Sequence, residues 1–494
     1  MNRFRRSTSL STVFLLTTLW VVTILVVISP VHGATITVDT AIDLDLLDGL
    51  CSLREAITAA NDDIAYGDCV SGDGPDRIDF DLTLPAIILL TDHLPAIAAP
   101  LAVHGPGALD LAIDGDTLYR PLEIDSPGDD GWVLIEDLSL TNGLSPETSF
   151  PENSYRGGGA RVAPGDEAIF RRVRFIGNRA INGAGGLYVS SATSALARVT
   201  VRDCLFAENV SEGPSGGGGL FVHDRGSVLR VFGSTFVGNR AEHENGTGAG
   251  LRAVSADLWV EGSTLSGNIS NGSAGGISVS SGTLVPTIVT LRDTTITGNV
   301  ATDPSGIQGG GGVRLSRKPT QPLYVTIEST VVAGNLDFGV SGHPEIACLE
   351  EPPDLLAINS TFLASNEGCS SLIPAGTPNS DGNFVGTSAA PLEAWLGPLG
   401  DHGGPTLTHA PLLTPLSPLI DQGHCPDAAS DQRGNGNATT GRRPVNLPDV
   451  PDPVGGDGCD IGSVEVRSSA AVDPSIFADG FEAGHGLLWA GEEP

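Results

Sequence analysis

An asparagine recurs through the middle of this chain at Asn178, Asn209, Asn239, Asn268, Asn299, Asn335 and Asn366, nearly always closing the same kind of phrase. Val173–Asn178, Cys204–Asn209, Ser234–Asn239, Ser263–Asn268, Thr294–Asn299 and Thr330–Asn335 align without gaps. Counting back from the Asn, the third residue is Phe, Phe, Phe, Leu, Ile and Val, and the fifth is Val, Cys, Ser, Ser, Thr and Thr. Two columns of like side chains, two residues apart, are what the inner face of a stacked β-strand presents. Steps of 29 to 36 residues are a solenoid period, in which no repeat can bury its apolar face alone. The Asn amide can donate to and accept from its copies one coil away, which makes the column a candidate ladder.

After each Asn comes a loop of variable length, then small residues and a strand, as in Gly185–Val189, Gly218–Val222, Gly275–Val279 and Gly311–Leu315. Glycine, at 65 of 494 residues, is gathered in runs such as 157–159, 216–219 and 309–312, so it belongs to recurring bends between sheets rather than to a linker. Two coils depart from the phrase. Leu138–Asn142 is off by one, and in the last coil Phe362 lies four before Asn366 while Thr361 and Leu363 keep the columns.

The formal charge is −33, with a single lysine at Lys318. A surface so acidic repels nucleic acid and anionic lipid, so neither is an expected partner. Arg3, Arg5 and Arg6 precede a largely apolar stretch from Val13 to Ile28 and a small-residue region ending at Gly33, the pattern of an export signal over 1–33. No other stretch approaches the length of a membrane span.

Seven cysteines fit an oxidising destination. Three pairs are close in sequence, Cys51 with Cys69, Cys348 with Cys369 and Cys425 with Cys459, each bracketing a region outside the regular repeats. Cys204 occupies the small inward column and is expected to be a buried free thiol. In Cys51–Asn61, Ser52 followed by Glu55 is a capping-box signature. Leu53, Ala56, Ile57 and Ala60 fall on one face of a short helix, a suitable lid for the open first coil of a solenoid.

The run Cys51-Ser-Leu-Arg-Glu-Ala56, the Asp-rich turn Asp73–Phe80, Leu94–Ile97 and Gly105–Gly107 together resemble the N-terminal element of bacterial secreted proteins named for the sequence CSLREA. The alternation of Phe-x-x-Asn with Gly-Gly-aliphatic resembles the repeats of polymorphic outer-membrane proteins and autotransporter passenger domains. Leu399–Ala410, Ser417–Gly423, Asp431–Gly434 and Cys459–Glu465 resemble the choice-of-anchor type C-terminal domain that follows such solenoids in surface proteins. The tail Asp473–Glu482 resembles a short motif of secreted proteins in Gram-negative bacteria.

These resemblances imply an all-β, right-handed parallel β-helix with a short N-terminal helical cap and a disulfide-tied C-terminal domain. The handedness also follows the rule for parallel crossovers. The boundaries are a signal at 1–33, the cap and first coils at 34–130, repeats at 131–375, the C-terminal domain at 376–466 and the tail at 467–494. The implied setting is secretion or the exterior of a Gram-negative outer membrane.

The β-helix fold also hosts polysaccharide lyases and hydrolases, so an enzyme must be sought in residues. A lyase needs carboxylates clustered to hold Ca²⁺ and an Arg as base. Asp203 with Arg202 and Asp293 with Arg292, along with Glu328, are the candidates, one residue before the inward column and so on an outer, solvated face. Gly233 and Gly262 occupy the intervening coils, which separates the charges. Asp73, Asp76, Asp79 and Asp81 are a further Ca²⁺ candidate that reads better as a turn. His402 and His409 make a weak metal pair, while Asp431, Arg433, Asp460 and Glu465 suit a buried ionic cluster. The leading expectation is a non-enzymatic adhesion or interaction protein, whose ligand is a polysaccharide or a cell-surface molecule. The alternative is a polysaccharide lyase or glycoside hydrolase.

Overall fold

The computed structural model describes residues 33–126, 131–145, 156–190, 195–223, 226–282, 285–303, 309–339, 342–425, 430–434, 447, 450–453 and 457–466. The export signal and the Asp473–Glu482 tail lie outside the described residues. Each regular coil contributes up to four strands in order, as in Arg198–Arg202, Leu205–Ala207, Val210–Ser211 and Leu220–His223. Like strands of successive coils pair in parallel and in register. They build sheet I (eleven strands), sheet II (eleven), the two-residue strands of sheet III (six) and sheet IV (eight). The chain is a parallel β-helix.

The inward columns form one continuous core from Ile36 to Val385. Phe175, Phe206 and Phe236 stack along it with ring centroids 4.5 and 4.6 Å apart and planes within 4°. That spacing is the rise between coils, about 4.8 Å, so the backbone sets the stack and the rings fill it.

Two side-chain ladders satisfy the bends. At the bend between sheets II and III, Asn178, Asn209, Asn239, Asn268, Asn299 and Asn335 link consecutively, each Nδ2 donating to the next Oδ1 at 2.8–2.9 Å. The same Nδ2 also donates to a carbonyl one coil back, as Asn209 does to Phe175, and each Oδ1 after the first also accepts the preceding coil's Asn N–H. These amides are wholly buried or nearly so, and each Nδ2 has both of its N–H groups bonded. Asn366 is a correction: its Nδ2 turns to the Ile373 carbonyl, and the ladder ends instead on Glu345, whose Oε2 accepts from Asn335 Nδ2 at 2.7 Å.

The second ladder lies at the bend between sheets I and II. Ser234, Ser263, Thr294 and Thr330 each donate to the carbonyl two residues earlier at 2.7–2.9 Å. Their hydroxyls also accept N–H groups of the preceding coil, as from Cys204 to Ser234 and from Ser234 to Ser263. Cys204 follows the same geometry with sulfur, 3.4 Å from the Val173 nitrogen and 3.2 Å from the Arg202 carbonyl. It is a free, buried cysteine whose thiol is pushed up to about 12 by burial.

The helix Leu53–Asp62 interrupts the first turn of the stack, between sheet I strands Thr35–Val38 and Asp76–Phe80. Its capping box forms, with Ser52 accepting from Glu55 N–H and the Glu55 carboxylate accepting from Ser52 N–H. Leu53, Ala56, Ile57 and Ala60 face the core beside Ile36, Val38 and Ile78. Disulfides join Cys51–Cys69, Cys348–Cys369 and Cys425–Cys459.

Beyond the last coil the chain doubles back over the outer face of sheet II. Leu396–Gly400 and Thr408–Pro411 make a small antiparallel pair. From there, contacts reach strands far back in sequence: Thr235 Oγ1 donates to the Leu407 carbonyl, Thr264 Oγ1 to Gln432 Oε1, and Ser329 Oγ to the His424 carbonyl. Val331 and Phe362, outward on sheet II, are buried beneath Ala394, Leu419 and Ile461. The C-terminal segment is thus a strap along the solenoid.

Candidate functional site

The bend preceding the hydroxyl ladder repeats one backbone state. Asp137, Arg172, Asp203, Gly233, Gly262, Asp293, Ser329 and Ser360 occupy it on successive coils, all with φ between 45° and 58°. Such left-handed backbone suits Gly and is tolerated by Asp, so the sequence at this column reflects the bend before any chemistry.

Opposite this column runs the strap, and the two enclose a groove. One cavity of about 430 Å³ lies among Asp110, Asp137, Arg172, Asp203, Asp401 and Pro405. A second, of about 490 Å³, adjoins it through Arg172 and Asp203 and is lined by Arg202, Glu261, Asp293 and Asp431. Gly262 opens the second, since a Cβ there would meet nothing within 4 Å.

Asp203 is half-buried between the cavities. Burial raises its pKa, against the opposing pull of Arg202, Arg172 and Arg171. Arg202 is exposed, its guanidinium carbon 4.7 Å from the Phe232 ring centroid. Arg172 is held by Asp137, its Nε donating to Oδ1 at 2.6 Å.

Asp293 is only 1 % exposed, which corrects the expectation of a solvated outer face: the returning strap covers this bend. Its neighbour Arg292 donates through Nε and Nη2 to Glu328 Oε2 at 3.0 and 2.9 Å. Asp203 and Asp293 are three coil steps apart along the axis, about 14 Å. Paired carboxylates of glycosidases stand about 5–9.5 Å apart, so these two do not make such a pair.

The other candidates are spent on structure. Asp76 Oδ1 accepts from the Ala34 and Asp73 nitrogens, Asp79 pairs with Arg77, and on their strand Asp76 and Asp79 point to opposite faces. Asp73, Asp76, Asp79 and Asp81 therefore do not converge on a Ca²⁺ position. His409 Nε2 meets Ser266 Oγ at 2.9 Å while Nδ1 meets the Gly397 carbonyl at 2.7 Å. His402 Nδ1 meets Thr408 Oγ1 at 3.0 Å.

Asp293 lies near the sulfurs of Cys425 and Cys459, but those sulfurs are joined to each other and offer no thiolate to a metal. Asp431, Arg433, Asp460 and Glu465 do come together at the end of the strap. Arg433 Nε donates to Asp431 Oδ2 at 2.8 Å, Glu465 accepts from Asp460 N–H, and Asp460 accepts from Asp421 and Val466 N–H groups.

Sequence reasoning missed the groove because one of its walls is the strap. The signal that could have found it is the pair Gly233 and Gly262, two coils with no side chain at a column otherwise filled by Asp, Arg or Ser. Fold and site together define the class: a parallel β-helix whose C-terminal strap encloses a charged groove. No protein-family model, no curated protein and no solved structure matches the chain.

Proposed function

We propose that this is an exported, extracellular or cell-surface interaction protein, working by binding rather than by catalysis. The observation that carries the reading is that the candidate carboxylates do not come together: Asp203 and Asp293 are three coils apart, and of the candidate arginines Arg292 is ion-paired to Glu328. A rigid stack with an enclosed, mixed-charge groove supplies a fixed surface for an extended polar ligand such as a polysaccharide or a cell-surface glycan. Export is supported by the N-terminal pattern of the sequence and by the three disulfides. Among the described residues no helix is long and apolar enough to cross a membrane.

A second reading, a polysaccharide lyase or glycoside hydrolase, has one observation in its favour: Asp203, with its raised pKa, lies beside Arg202 and Arg172 in the cavity. The test is a panel of acidic and neutral polysaccharides assayed for binding and for turnover, with and without Ca²⁺. Retention of one or more glycans without unsaturated products or new reducing ends is the expected result. Turnover that disappears in Asp203→Asn would overturn it in favour of the enzyme.

A further inference from the structure

The coil that ends its phrase at Asn178 holds four arginines, and three of them are spent on carboxylates. Arg171 and Arg172 pair with Glu136 and Asp137, and Arg179 pairs with Glu212. Arg174 is the fourth. It stands on the outer face of sheet II, in register with Ser139 on the coil before and Leu205 on the coil after, so neither neighbour offers it a carboxylate. Among the described residues its guanidinium has no hydrogen bond, ion pair or ring contact. Burial lowers its pKa, and no nearby carboxylate offsets the lost water. A guanidinium held this way pulls strongly on an oxyanion brought to it, because less water competes for its N–H groups.

Arg174 lines the first cavity of the groove, whose volume of about 430 Å³ lies in the small-ligand range of roughly 300–1,000 Å³. The rest of that wall is of two kinds. Asp110, Asp203 and Asp401 bring carboxylates that have no ion-pair partner among the described residues. Leu109, which is 78 % exposed, brings apolar surface together with Leu205 and Pro405. Such a wall does not suit a bare anion, which the three carboxylates repel, nor a hydrocarbon, which would strip water from the charges. It suits a ring that carries hydroxyl donors, an apolar C–H face and one carboxylate. The hydroxyls donate to the Asp side chains, the C–H face lies on Leu109 and Pro405, and the carboxylate meets the fork of Arg174.

We infer that this cavity is a subsite for an acidic sugar residue and that Arg174 is the residue that selects it. The inference rests on the groove being a glycan site, and it adds the class of glycan accepted: a uronic acid borne singly on a chain that is otherwise uncharged. A uniformly charged polyuronate is the poorer ligand. A protein of net charge −33 repels it along its whole length, and Asp110, Asp203 and Asp401 leave room for one negative group, at Arg174.

The test takes the glycans that the full chain retains from the polysaccharide panel and reduces their uronic carboxyl groups to alcohols. Titration calorimetry then compares each glycan before and after reduction, with a chitosan oligomer as the cationic counterpart. Uronate-bearing glycans should bind at least about tenfold more tightly than their reduced forms. Arg174→Gln should remove that preference while leaving the affinity for the reduced glycan and the thermal midpoint unchanged, since this side chain holds nothing else in the fold. Arg174→Lys should restore part of the preference, and Arg230→Gln, on the exposed face of sheet I, should not alter it. The inference fails, with glycan binding intact, if only neutral glycans are retained or if acidic and reduced forms bind alike. It fails in the same way if Arg174→Gln keeps the preference, or if the chitosan oligomer binds more tightly than the uronate. Retention of no glycan at all removes both this inference and the reading it rests on.

Discussion

Glu345 shows at the scale of one residue how a repeat is brought to an end. Every Asn Oδ1 after the first in the ladder accepts from the coil before, so the last amide, on Asn335, needs an acceptor that the repeat no longer supplies. Glu345 provides it, taking the Asn335 Nδ2 and both the Gly334 and Asn335 N–H groups. Burial pushes its carboxyl up to about 7 from an ordinary 4.5, the three donors pulling the other way. Between those values the native state holds a proton that the unfolded chain has released. This contribution to stability is therefore full below pH 4.5 and lost as pH rises through about 7. At about 1.4 kcal/mol per pH unit it amounts to roughly 3 kcal/mol. Urea unfolding of Glu345→Gln between pH 4 and 8 should show the pH slope flattened by about that amount, with the ladder's acceptor retained.

Asn239→Ala belongs to the same scale. It removes one link and leaves the Asn209 amide and N–H without their acceptor, which should cost about 2–4 kcal/mol by denaturant titration. The ladder was legible in the sequence because it repeats. Its terminator was not, because Glu345 lies in a loop outside the phrase, ten residues from the Asn it serves. The Ser and Thr column was legible as small inward residues. Its second role, donating to one carbonyl and accepting from the next N–H, depends on a bend backbone that side-chain pattern alone does not reveal.

Among the elements, the strap departs furthest from what the chain's pattern announces. Gln432 is its chief fastening, 3 % exposed, with Nε2 donating to Thr235 Oγ1 and Thr406 Oγ1 and Oε1 accepting from Thr264. Gln432→Ala should leave several buried polar groups unmatched and loosen the strap without unwinding coils. Limited proteolysis should then cut within the strap at least about tenfold faster, the circular dichroism of the solenoid being unchanged. The strap's course could not be read in advance, because Thr235, Thr264 and Thr295 look like ordinary outward threonines of a strand. Only their burial distinguishes them. The helical lid was legible for the opposite reason, since its capping box and apolar face are local signals.

For the whole molecule, a bare solenoid unfolds as a chain of nearest neighbours, its end coils fraying first. Here Ser463 bonds to Thr264 and Thr295, and the preceding Gly462 donates to the Ser329 carbonyl, so one short segment fastens coils spread over some 65 residues of repeat. Breaking Cys425–Cys459 by mild reduction should therefore lower the unfolding midpoint of the last coils as well as that of the strap, an effect that hydrogen exchange resolves coil by coil.

The strap also imposes an order in time. Its hydrogen-bond partners on the coils lie 95 to 199 residues earlier in the chain, so they must already be stacked when it docks. Until residues beyond 396 have emerged, the coils stand with a row of threonines, Val331 and Phe362 open to solvent. Closure is thus the final event of folding, and a chain cut short before it would keep its ladders and expose a sticky face.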